Sequence, residues 1–87
     1  MTTNGAPVGE KVKDVRFDDE TLFVELADGR TLSVPVVSFP RLQHASTAQR
    51  SNWQLCGGGY GIHWPDVDED LSTAGLLRWY SADRASA

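Results

Sequence analysis

Cysteine occurs once, as Cys56, and histidine twice, as His44 and His63, in 87 residues. One cysteine excludes an internal disulfide and a thiolate zinc site, which needs two to four Cys spaced with His. A lone thiol suits a reducing cytoplasm, which is the expected location. Positive charge is also scarce: eight Lys and Arg stand against twelve Asp and Glu, a net charge of -4. Even non-specific nucleic-acid binding needs several cations on one surface, so DNA or RNA is not the expected partner and a basic protein is. No run approaches the roughly 18–20 apolar residues of a membrane span. The opening Met-Thr-Thr-Asn-Gly-Ala-Pro has neither the positive start nor the apolar stretch of a signal peptide. A membrane partner is not expected.

What remains is ordinary for a folded chain, 40% hydrophobic and 23% charged. The length allows one domain. Residues 1–9 and 81–87 hold little apolar surface to offset ordering them, so both are expected to be disordered tails around a single domain at 10–80. A domain of that size has a thin core, and a partner or a homo-oligomer can supply part of its stability.

In 12–17, Val15 and Phe17 alternate with Asp14 and Arg16; in 22–26, Leu22, Val24 and Leu26 alternate with Phe23 and Glu25; in 32–36, Leu32, Val34 and Val36 alternate with Ser33 and Pro35. This period of two predicts three strands, each with one wet face. A two-residue turn at Asp28-Gly29 would set Leu26 beside Thr31 and Val24 beside Ser33, apolar against polar. A three-residue loop Ala27-Asp28-Gly29, with Gly29 in the left-handed region, pairs Val24 with Leu32 and Leu22 with Val34 instead. A four-residue loop at 18–21 likewise sets Phe17 opposite Leu22 and Val15 opposite Val24. The result is a three-stranded antiparallel meander.

Ser38 is placed to cap a short helix beginning near Pro40, with Phe39, Leu42 and Ala45 on one face. Ser46 and Gln49 match the capping box for a second helical turn near 46–51. Trp53 and Leu55, then Ile62 and Trp64, flank Cys56-Gly57-Gly58-Gly59-Tyr60-Gly61, which reads as two short strands around a glycine bend, the second stopped by Pro65. Leu71, Ala74, Leu76, Leu77 and Trp79 predict a C-terminal helix capped by Asp68 or Ser72, with acids in its first turn, where the helix dipole favours them. The fold class is therefore α+β: meander, short helix, glycine-bent two-strand segment and C-terminal helix.

The glycines could offer backbone N–H groups to a phosphate, but no Gly-Lys-Ser/Thr follows and the next element reads as a strand. A bend with unusual dihedrals is their expected use. Asp66, Asp68, Glu69 and Asp70 lack the spacing of a calcium loop and are expected to start the helix, face solvent and dock a basic partner. His44, His63 and Cys56 are too scattered to point to a nucleophile with its base or to a metal site. Cys56 is expected to be a small buried hydrophobe, and His63 to face solvent or bond a turn. The three tryptophans are expected as core and interface fillers, with Arg41, His44 and Arg50 the basic concentration near aromatics. No catalytic residue, metal site or cofactor is expected.

Asn52-Trp53-Gln54-Leu55-Cys56-Gly57-Gly58-Gly59-Tyr60-Gly61-Ile62-His63-Trp64-Pro65, followed by Asp68-Glu69-Asp70-Leu71-Ser72 and Gly75-Leu76-Leu77, resembles the small bacterial family catalogued as domain of unknown function 2442. So do Val12 to Val15, Leu22 to Leu26, Asp28-Gly29 and Phe39-Pro40-Arg41-Leu42. The likeness covers residues 11–78 and implies a compact α+β module without established catalysis. Similar proteins are encoded beside a second small protein, of the domain of unknown function 4160 family, in pairs that look like toxin–antitoxin modules; the resemblance implies the antitoxin's part. The expectation is a non-enzymatic protein–protein interaction module contacting its partner through Trp53, His63, Trp64, Asp66, Asp68, Glu69 and Asp70. Two other classes stay open: a small metal- or phosphate-dependent enzyme using His63 with the acids at 66–70, and a regulatory fragment touching nucleic acid through Arg41 and Arg50.

Overall fold

A computed structural model describes residues 10–78; the tails expected at 1–9 and 81–87, and Trp79 of the expected terminal helix, lie outside the described residues. Strands β1 (Val12–Phe17), β2 (Thr21–Leu26) and β3 (Thr31–Pro35) form one antiparallel sheet in that order. Its register is the one that face sorting demands: Phe17 lies opposite Leu22, Val15 opposite Val24, Val24 opposite Leu32 and Leu22 opposite Val34. Leu22, Val24, Leu26, Leu32 and Val34 are buried in consequence. Gly29 closes the second turn at φ 95, with its N–H on the Leu26 carbonyl at 3.0 Å; any residue with a Cβ would be strained there. In the first turn Asp18 Oδ1 accepts from the backbone N–H groups of Glu20 at 2.9 Å and Thr21 at 2.7 Å, the local bonding that suits Asp to turns. A bulge between Val12 and Asp14 shifts the register at the start of β1.

A 3-10 turn, Val36–Ser38, leads to α1 (Pro40–Gln43) and α2 (Thr47–Ser51). Ser38 does not cap α1, contrary to expectation. It sits inside the 3-10 turn, and Phe39 precedes the helix with no side-chain bond to it. Pro40 opens α1 with its φ already set and no N–H to satisfy, so little is left for a cap to do. The capping box of α2 is present: Ser46 Oγ accepts from the Gln49 N–H at 3.1 Å, and Gln49 Oε1 from the Ser46 N–H at 2.9 Å.

Strands β4 (Gln54–Cys56), β5 (Gly61–Trp64) and β6 (Glu69–Ser72) form a second antiparallel sheet. Between β4 and β5 the chain bends through Gly57, Gly58 and Gly59 at φ 59, 70 and 98, conformations that glycine adopts without steric cost. Strand β6 corrects the expectation that the acids open a helix: Glu69 pairs with Trp64, Asp70 with His63 and Leu71 with Ile62. The turn at 65–68 reverses the chain through Asp68 at φ 54, a left-handed conformation that Asp tolerates better than most residues. The terminal helix α3 begins only at 73 and is described to residue 78. Ser72, one of its two expected caps, accepts from the Gly75 N–H at 2.9 Å. Leu42 of α1, Ile62 and Trp64 of β5 and Leu76 of α3 join the inner face of the first sheet in one core. Phe17 and Trp64 connect the two sheets edge to face, centroids 6.1 Å apart.

Candidate partner-binding site

The β5–β6 turn carries two of the four acids singled out from the sequence, Asp66 and Asp68, with Glu69 and Asp70 following in β6, and it is held from beneath. Trp64 anchors one end in the core, fully buried, with Nε1 donating to the Arg50 carbonyl at 3.0 Å. Val67, half-buried, packs on the core from within the turn. Asp66 accepts from Asn52 Nδ2 at 3.0 Å. Arg41 Nη1 donates to the Asp68 carbonyl and lies 4.0 Å from Asp68 Oδ2. The Asp68 side chain is 89% exposed, so solvent screens that ion pair and leaves the carboxylate available. Asp66, Asp68 and Asp70 are all exposed, whereas Glu69 is half-buried.

Strand alternation puts Gln54, His63 and Asp70 in one row on the outer face of the second sheet, with Cys56, Gly61 and Ser72 in the next. His63 Nδ1 and Asp70 Oδ1 are 2.6 Å apart. A carboxylate there orients the ring and favours the Nδ1 proton. The Cys56 thiol is exposed, which corrects the expectation of a buried hydrophobe: β4 is an edge strand whose three residues are all exposed, Leu55 included, and Cys56 stands beside Gly61 on the outer face. An open hollow of about 440 Å³ lies there, lined in part by Cys56, Tyr60, Gly61, Asp70 and Leu71. Among the described residues no three His, Cys, Asp or Glu side chains converge as metal ligands would.

A larger groove, of about 590 Å³, runs beside β1 and is lined in part by Val15, Phe17, Phe23, Arg50 and Trp53. Trp53 is half-buried and packs on the core. Arg50 is spent inside the fold: Nε donates to the Leu42 carbonyl at 2.9 Å, Nη2 to that of Gln43 at 3.1 Å, and the guanidinium lies 5.2 Å from the Phe17 ring centroid. The seven expected contact residues are therefore divided. Asp66 and Asp68 stand on the turn, His63 and Asp70 on the outer face, Trp53 in the groove and Glu69 half-buried. Trp64 is a core residue and presents no surface, because its place in β5 alternates with that of His63. From the sequence Arg41 and Arg50 stood out only as a basic concentration near aromatics; nothing there marked Asn52, Arg41 or Arg50 as clamps, because their partners lie 14, 27 and 8 residues away.

The family model described as a protein of unknown function, DUF2442, matches residues 12–82. The chain belongs to the DUF2442 family. The crystal structure of a protein of unknown function from Rhodospirillum rubrum ATCC 11170 is similar, with 33% identity and a TM-score of 0.67 over 78% of this chain and 84% of that one. An uncharacterised protein from Chromobacterium violaceum, solved in solution by NMR, has the same fold at 21% identity and a TM-score of 0.67, over 78% of this chain and 64% of that one. No curated protein matches the chain. The two-sheet α+β arrangement is thus shared with other solved structures, and neither is described by an activity. No helix among the described residues of this DUF2442 chain is long and apolar enough to cross a membrane.

Proposed function

We propose that this DUF2442 chain is a non-enzymatic protein–protein interaction module, antitoxin-like, that docks a small basic protein in the cytoplasm through the β5–β6 turn. The observation that carries this reading is the firm mounting of exposed carboxylates, with Asp66 and Asp68 on a turn pinned by Trp64, Val67, Asn52 and Arg41. Binding loses the freedom of loops and side chains, so a contact loop already fixed has less to lose. Its charge, within a chain of net charge -4, steers a basic partner and sets its orientation. The half-buried Trp53, next in sequence to the Asn52 clamp, supplies apolar contact nearby. The exposed thiol of Cys56 fits a reducing compartment.

Titration calorimetry against a small basic protein encoded beside this chain tests the reading. Affinity should fall steeply with salt, and Asp66→Lys with Asp68→Lys should weaken it about tenfold or more. Binding indifferent to both changes would remove the acidic docking surface. A second reading, a small enzyme, has one observation in its favour, the His63–Asp70 pair at 2.6 Å. Turnover abolished by His63→Ala would select it over the first.

A further inference from the structure

We propose that two copies of this chain associate edge to edge through β1, in a symmetric antiparallel pairing centred on Val15 that sets Asp14 of each copy against Arg16 of the other. The pairing lies on the first sheet and does not depend on the acidic turn of the second.

Among the described residues β1 pairs only with β2. The phase of that ladder tells which backbone groups are left over. The Asp18 N–H bonds the Thr21 carbonyl at 3.0 Å, so the bonded pairs recur two residues on, at Arg16 with Phe23 and Asp14 with Glu25. Val15 and Phe17 therefore turn their N–H and C=O groups to the open edge. The outer edge of β3 is guarded by contrast. The Val36 N–H bonds the Glu20 carbonyl at 2.9 Å, so Thr31, Ser33 and Pro35 face outward, and Pro35 has no donor to offer. β1 has no proline, and an open groove of about 590 Å³ runs beside it, lined in part by Val15, Arg16 and Phe17.

Charge selects the register. The edge-facing residues must be the bonded ones, which restricts self-pairing to a few alignments. Centring on Val15 puts Asp14 opposite Arg16 twice over. Centring on Asp14 would set Asp14 against itself, and centring on Arg16 would set Arg16 against itself. Opposite charges directly across a ladder stabilise it and like charges destabilise it. Asp14 and Arg16 can respond, with side chains 47% and 59% exposed; within the chain they meet each other at only 4.0 Å, and the Arg16 guanidinium lies 5.4 Å from the Phe23 ring centroid. The faces agree as well, since the two Val15 side chains meet on the core side and make the inner faces continuous. The bulge between Val12 and Asp14 bounds the contact, so the dimer is reversible, and the two-fold axis closes the assembly at two copies.

Sedimentation of the full chain over a concentration series tests this. The unmodified chain should show a monomer–dimer equilibrium, and Asp14→Arg alone or Arg16→Asp alone should weaken it about tenfold or more. Both substitutions in one chain should restore the dimer, and an equimolar mixture of the two single variants should associate more tightly than either does alone. Circular dichroism and melting of each variant separate lost association from lost folding. A chain that stays monomeric up to about 1 mM, a dimer indifferent to both single variants, or a double variant that does not recover would each overturn the pairing. All variants keep Asp66, Asp68 and Asp70, so the sedimentation result does not rest on the acidic turn, although Trp53 lines the groove beside β1 as well.

Discussion

Replacing Arg50 with alanine removes a side chain that ties α1 and α2 to the first sheet, and its cost can be worked from the contacts. Nε and Nη2 donate to the carbonyls of Leu42 and Gln43 at 2.9 and 3.1 Å, where α1 ends and helical donors run out. Nη1 reaches the Asp18 carbonyl at 3.5 Å, and the guanidinium lies over Phe17. A hydrogen bond from a charged donor contributes about 1.5–3 kcal/mol net, and a cation–π contact in a half-exposed setting about 0.5–1 kcal/mol. Arg50 is half-buried, so water recovers part of the loss, and the expected cost is about 2–4 kcal/mol. For a domain of this size that is a drop in melting temperature of about 10 °C or more. Urea unfolding followed by tryptophan fluorescence, with the slope checked for a common denatured state, measures it. Arg16→Ala, at concentrations where the chain is monomeric, is the control: its guanidinium also lies over a ring, Phe23 at 5.4 Å, but the side chain is 59% exposed, and the expected cost is under about 1 kcal/mol. Arg50→Lys should fall between, keeping the charge and losing the planar fork. Equal midpoints for Arg50→Ala and Arg16→Ala would refute the reasoning.

Gly61→Ala should destabilise by about 1–3 kcal/mol, because the new Cβ would lie 2.8 Å from Cys56 Sγ; melting should show most of the loss recovered when Cys56→Ala is added. Asp68→Gly should raise stability by about 0.5–1 kcal/mol in urea unfolding, by relieving the left-handed backbone at φ 54, while weakening the basic partner's binding. The Asp28 carboxyl is held below its ordinary value by the Arg30 backbone N–H first and by the Arg30 guanidinium as well. A lowered folded-state value means that its contribution is fully present above the unfolded value and is lost as pH falls through the folded one. An NMR titration should therefore find Asp28 protonating at lower pH than an ordinary aspartate, and Arg30→Ala should move it part of the way back.

The meander was legible because both faces of each strand had to sort at once. With Leu22, Val24 and Leu26 on one side of β2, only one loop length on each flank left apolar side chains opposite apolar ones. Strand β6 was not legible, and the reason is physical. Acids ahead of Leu71, Ala74, Leu76 and Leu77 satisfy every local preference of a helix N-terminus, while the strand they form is stabilised by its hairpin partners, outside the reach of a helical turn: Leu71 by Ile62 and Asp70 by His63. Local preference and tertiary pairing disagreed there, and pairing won. The same missed strand hid the outer face: once β6 is in place, alternation alone sets His63 beside Asp70 and Cys56 beside Gly61, and sends Trp64 inward. Arg50 could not be read either, since its acceptors are backbone carbonyls, which every residue carries and which only the folded chain brings within reach. The exposed acids are thus held by the Asp68 turn and its clamps rather than by a helix dipole. A variant that lets residues 68–72 join α3 would carry the same charges and lose their fixed arrangement.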